Sequence, residues 1–81
     1  MERRKVYVDV DVSILKNGKV YPRRFRYEDG TVFQVERLID TCKAQSTRVG
    51  GEGIRYTVMI LGHVSYLFDE RGKWFVEAKV V

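Results

Sequence analysis

Residues 5–27 read Lys5-Val6-Tyr7-Val8-Asp9-Val10-Asp11-Val12-Ser13-Ile14-Leu15-Lys16-Asn17-Gly18-Lys19-Val20-Tyr21-Pro22-Arg23-Arg24-Phe25-Arg26-Tyr27, apolar–polar alternation on either side of an Asn-Gly pair. Side chains of an extended chain point to alternate faces. Val6, Val8, Val10, Val12 and Ile14 therefore share one face, and Lys5, Tyr7, Asp9, Asp11 and Ser13 the other. Asn-Gly accepts the positive φ of a tight turn, so the two halves fold back as a hairpin. A two-residue loop sets Val8 against Tyr27, Val10 against Phe25 and Ile14 against Tyr21. The same register sets Asp9 against Arg26 and Asp11 against Arg24. Apolar meets apolar and acid meets base, which fixes the register.

Further turn signals follow at Asp29-Gly30, Gly62-His63 and Arg71-Gly72, with a glycine-rich loop at Gly50-Gly51-Glu52-Gly53. A four-residue loop over Glu28–Thr31 sets Tyr27 against Phe33, Phe25 against Val35 and Arg24 against Glu36, keeping faces consistent. Residues 35–45 are ambiguous. Val35, Leu38, Ile39 and Cys42 match a helical stripe, yet the stretch also continues a strand if a bulge lies near Leu38. A strand to about Asp40, then a turn or short helical turn within 38–45, is the expectation. In the second half, Ile54, Tyr56, Val58 and Ile60 alternate with polar residues. Three-residue loops then set Tyr56 against Phe68 and Phe68 against Trp74. Leu61, Leu67, Phe75 and Val81 fall on the opposite face as a second apolar surface. Strands this short do not leave long edges open, so residues 1–81 are expected to form one all-β domain. It is a small antiparallel, partly open barrel of five to six strands connected by hairpins.

Composition narrows the function. The chain has 81 residues, 15 Lys+Arg against 11 Asp+Glu, one His and one Cys. That leaves no residues for most metal sites and none for an internal disulfide. No cofactor is expected. The basic start at Met1–Lys5 leads into no apolar stretch of signal-peptide length, and no run approaches a bilayer span. A cytoplasmic location and no membrane partner are the expectations.

Positive charge is concentrated early: residues 1–27 carry eight basic and three acidic side chains, residues 28–81 seven and eight. Arginines interleaved with Tyr21, Phe25 and Tyr27 resemble a nucleic-acid strand, but the register neutralises Arg24 and Arg26 and turns the rings inward. Arg3, Arg4, Lys5, Lys16, Lys19 and Arg23 remain as candidate nucleic-acid contacts. Gly50–Gly53 leads into a strand with no Gly-Lys-Ser/Thr, so it is read as a strand-entry loop, not a phosphate cradle. A small-molecule site beside it is the weakest reading. His63 and the pair Asp69-Glu70 lack partners of catalytic spacing, and no enzymatic activity is expected. Binding of a protein partner or of a second copy, through Leu61, Leu67, Phe75 and Val81, ranks first, and nucleic-acid binding second.

The run Tyr21-Pro22-x-x-Phe25, Asp29-Gly30-x-x-Phe33-x-Val35-x-x-x-Ile39-Asp40, Gly50-Gly51-x-Gly53-x-Arg55-Tyr56-Thr57-Val58, Tyr66-Leu67-Phe68-x-Glu70 and Trp74-Phe75-Val76-Glu77 resembles short bacterial proteins of about this length. The resemblance covers most of the chain. It implies an SH3-like barrel, carries no assigned activity and transfers no functional residues.

Overall fold

The alternating segments fold as strands throughout. In the computed structural model, which describes residues 3–45 and 52–79, seven strands appear and no helix: β1 (Arg3–Ile14), β2 (Val20–Arg26), β3 (Val32–Gln34), β4 (Arg37–Gln45), β5 (Glu52–Ile60), β6 (His63–Glu70) and β7 (Lys73–Lys79). They form one antiparallel sheet in the order β3-β2-β1-β7-β6-β5-β4, coiled into an open half-barrel. Along β1, Arg3–Val8 pair with β7 and Asp9–Ile14 with β2. The two outermost strands are consecutive in sequence and joined only through Val35 and Glu36. There Val35 N–H donates to the Arg23 carbonyl at 2.9 Å and Glu36 N–H to the Met59 carbonyl at 2.8 Å. Nearby, Leu38 N–H donates to the Tyr21 hydroxyl at 3.1 Å, tying β4 to β2.

The strand count exceeds the expected five to six because the third run breaks at this junction. The expected helical turn in 38–45 is replaced by strand β4 running to Gln45. The helix-like spacing has another cause. The kink at Glu36 and a bulge between Leu38 and Asp40 place Val35 and Leu38 both against the core while Ile39 stays exposed.

The hairpins differ from expectation in a systematic way. At Asn17-Gly18 and Asp29-Gly30 the loops have three residues: Leu15 pairs with Lys19 and Tyr27 with Thr31, and only the glycines have positive φ. Asn17 Oδ1 accepts the Lys19 N–H and Asp29 Oδ1 the Thr31 N–H, each at 2.9 Å. This side-chain capture holds Asn and Asp out of the left-handed region and favours the longer loop. At Leu61-Gly62 and Arg71-Gly72 both residues have positive φ and the loops have two residues, with Ile60 opposite His63 and Glu70 opposite Lys73. Each glycine N–H is taken by a carboxylate, Gly62 by Glu36 at 2.7 Å and Gly72 by Asp69 at 2.8 Å.

These loops correct the pairings. Asp9↔Arg26, Val10↔Phe25 and Asp11↔Arg24 stand, because a bulge at Arg23 absorbs the extra loop residue. Beyond it Ile14 meets Val20, and Tyr21 meets Ser13. In the second hairpin Phe25 pairs with Phe33, and Arg24 with Gln34, instead of Val35 and Glu36. In the second half Tyr56 pairs with Leu67 and Phe68 with Phe75. One slip on each side of β6 inverts that strand alone. Leu67 points in, while Tyr56 and Trp74 keep a common face and pack with their rings tilted, 4.9 Å between centroids.

The core lines the inside of the half-barrel with Val6, Val8, Phe25, Tyr56, Val58, Ile60 and Leu67. Burying each such side chain contributes roughly 1.5–3 kcal/mol. Outside the barrel a second cluster forms where Phe68 stacks on Phe75 at 4.9 Å and Tyr7 meets Phe75 edge-on at 5.8 Å. Lys5 Nζ lies 4.9 Å over the Phe75 ring.

Gly53 is fixed by space: a Cβ there would overlap the carbonyl oxygen of Asp69 on the neighbouring strand. Gly53→Ala is expected to lower the urea unfolding free energy by about 1–3 kcal/mol. A midpoint equal to wild type would show that β5 and β6 do not approach as described.

Candidate functional site

β6 and β7 start as close neighbours and then separate. Their pairing is confined to Phe68↔Phe75, Asp69↔Trp74 and Glu70↔Lys73. Among the described residues, the rest of β6, His63–Leu67, forms ladder pairs only with β5, and the rest of β7, Val76–Lys79, only with β1. Two strand edges thus lie on either side of a slot in the sheet. A cleft of about 660 Å³ occupies this region, with Phe25, Phe33 and Ile60 reaching it from the interior. Leu61, Val64 and Tyr66 line it too, with 74%, 54% and 47% of their surface exposed. Arg3, Asp29, His63 and Glu77 supply the polar lining. The guanidinium of Arg55 lies 5.1 Å over the Tyr66 ring, and its Nε is buried with no hydrogen-bond partner.

The residues expected to form an apolar surface do not share one. Leu67 has 0% of its surface exposed and belongs to the core, because β6 is inverted. Phe75 faces outward but is only 2% exposed, covered by Lys5, Tyr7 and Phe68. Leu61 is open to solvent, and Val81 lies outside the described residues. The inversion that buries Leu67 puts Val64 and Tyr66 at the surface in its place.

The basic candidates fall into two groups. Arg3, Arg4 and Lys5 open β1, whereas Lys16, Lys19 and Arg23 lie around the far end of the β1–β2 hairpin. β1 has 12 residues, a length of about 36 Å at the usual rise per residue. In the first group Arg4 pairs with Glu28 at 2.7 Å and Lys5 with Glu70 at 3.1 Å. Arg24 pairs with Asp11 at 2.6 Å, with both side chains more than half exposed. Such a contact contributes about 0–1 kcal/mol. Asp9 and Arg26 are register neighbours without a salt bridge. Arg23 donates from Nε to the Ser13 hydroxyl at 2.9 Å and lies 4.3 Å over the Tyr21 ring.

The remaining chemical candidates are dispersed. His63 stands at the start of β6, Asp69 serves the turn at Gly72, and Cys42 is a free, partly exposed thiol on β4. Gly50 and Gly51 lie outside the described residues. Among the described residues no group of three or more His, Cys, Asp or Glu could hold a metal ion, and no helix is long and apolar enough to cross a membrane. No protein-family model, curated protein or solved structure matches the chain.

Glu70 is the most constrained acid of the outer face. It accepts hydrogen bonds from Lys5 Nζ at 3.1 Å and from the Tyr7 hydroxyl at 3.1 Å. The Lys5 bond, then the Tyr7 bond and the positive charges of Lys5 and Arg71, hold its carboxyl below the ordinary value of 4.5. A lower pKa in the folded state means the stabilisation is complete above the unfolded value and disappears as pH falls through the folded one. An NMR titration of the Glu70 side chain is expected to show this depression, and Lys5→Met to move the midpoint back up. An unchanged midpoint in Lys5→Met would remove Lys5 as the main cause.

Proposed function

We propose that the protein is a non-enzymatic interaction module, a small barrel of the SH3-like kind, that binds an extended segment of a partner polypeptide by strand addition along β6. The observation that carries this reading is the edge of His63–Leu67 turned away from β5, which has no ladder partner among the described residues and lies beside an apolar cleft. A strand edge presents a ladder of N–H and C=O groups, and a peptide laid along it completes the ladder. Alternate side chains of that peptide reach the cleft floor at Phe25, Phe33 and Ile60, and this gives selectivity. Exposed Leu61, Val64 and Tyr66 supply the apolar rim that such contacts bury. A reducing, cytoplasmic setting fits the single cysteine. Nucleic acid is the weaker reading, because the six candidate cations are divided between two ends of a long strand and two of them are engaged by carboxylates.

Peptides selected from a random phage-displayed library are expected to share alternating apolar positions and to shift amide resonances of residues 63–67 and 76–79. N-methylating the alternate backbone nitrogens of a selected peptide that face β6 is expected to abolish binding, while methylating the intervening ones, turned toward β7, costs less. Val64→Asp is expected to weaken binding at least tenfold, equivalent to about 1.4 kcal/mol. Shifts confined to other strands, or indifference to which nitrogens are methylated, would defeat strand addition. A selected peptide that only competes with dimer formation would instead identify the natural occupant as a second copy.

A further inference from the structure

The far end of the β1–β2 hairpin carries a second surface, independent of the slot. β7 pairs with β1 only as far as Val8, and β3 with β2 only over Arg24–Arg26. From Val12 to Pro22 the chain is therefore only two-stranded; Val20 and Pro22 still pack inward and Tyr21 is bonded to β4, so the part that stands clear is the tip at Ser13–Lys19. Its side chains are an unusual mixture for a solvated tip. Val12, Ile14 and Leu15 are exposed, Ile14 to 71% of its surface. Lys16 and Lys19 flank the turn, and Arg23 follows at the bulge, its guanidinium steadied by Ser13. Residues 12–23 contain these three cations and no Asp or Glu. None of the three forms a salt bridge among the described residues, in contrast to Arg4, Lys5 and Arg24.

Aliphatic side chains at the hairpin tip, with Lys16 and Lys19 in the turn beside them and Arg23 on the opposite face of the ribbon, match a surface that is apolar below and anionic above. We propose that this ribbon docks on an anionic phospholipid surface, with Ile14 and Leu15 entering the acyl boundary and Lys16, Lys19 and Arg23 lying among the headgroups. The expectation of no membrane partner rested on the lack of a spanning segment, and a peripheral contact requires none. Nucleic acid fits the same residues less well. Its bases need an open ring to stack on, and the only ring of the ribbon, Tyr21, has one face under the Arg23 guanidinium and its hydroxyl bonded to Leu38 N–H. Aliphatic groups aimed at a phosphate backbone would also gain little from burial.

Co-sedimentation with vesicles of phosphatidylcholine alone, and with about one-third phosphatidylglycerol added, tests the proposal. Wild type is expected to sediment only with the anionic vesicles, and less so as salt rises. Lys16→Ala with Lys19→Ala is expected to weaken partitioning by about 25-fold, roughly fivefold per cation. Ile14→Ser with Leu15→Ser is expected to abolish sedimentation, and Ile14→Ser alone, at a side chain 71% exposed, to weaken it with no change in thermal unfolding. Leu15→Trp is expected to show blue-shifted emission only with the anionic vesicles. No sedimentation at low salt, equal binding to the neutral vesicles, or indifference to the Ile14 and Leu15 changes would overturn the proposal. Tighter binding to a short DNA duplex or RNA strand than to the vesicles would overturn it in favour of nucleic acid.

Discussion

Because β1 pairs with β7 over its first half and with β2 over its second, it is the one strand that holds the two ladders together. Val6 and Val8 anchor the first half in the core, and Val10 begins the second against Phe25. The transition works because the bulge at Arg23 turns β2 and frees a carbonyl for Val35 N–H, where the chain leaves β3 for β4. One extra residue thus reconciles the hairpin loop with the inward face and fastens the two sheet ends. Pro22, next to the bulge, is fully buried. It lacks an N–H for a ladder, and an irregular position is where a strand tolerates that.

The same geometry decides where charge and apolar surface remain available. Glu28, Glu70 and Asp11 engage Arg4, Lys5 and Arg24, and among the described residues no acid forms a salt bridge with Lys16, Lys19 or Arg23 at the hairpin end. Meanwhile the short β6–β7 pairing leaves a slot lined by hydrophobic side chains. One sheet therefore presents two unlike surfaces, an apolar cleft between strands and a cationic, aliphatic tip. Nothing in their geometry makes one depend on the other.

Much of this was legible from residue alternation, and the failures share a cause. The faces of β1, β5 and β7 follow from a period of two, and complementary pairs such as Asp11 and Arg24 located β2. Loop length did not follow from Asn-Gly and Asp-Gly alone, because the side-chain oxygens of Asn17 and Asp29 take the Lys19 and Thr31 N–H groups and stretch both loops to three residues. Leu61 and Arg71, which lack that reach, accept positive φ instead. The two resulting slips cancel across β6, so Trp74 was placed correctly and Leu67 was not. The slot left no trace in the sequence. It depends on how far β6 and β7 stay parallel in space, and a run of alternating residues reads the same whether one edge or both are paired. The cations of the tip were visible, but not their separation from Arg3, Arg4 and Lys5.

The outer edges of the sheet differ in kind from the slot. β3 has only three residues, and β4 is interrupted by its bulge at Ile39. Neither offers a straight, flat template on which copies of the chain could stack indefinitely. The β7-facing edge of His63–Leu67 lies instead within the sheet, between two of its strands. Growth into fibres is thereby discouraged at the rims, whereas a strand that paired inside the slot would fill it and leave no fresh edge for the next.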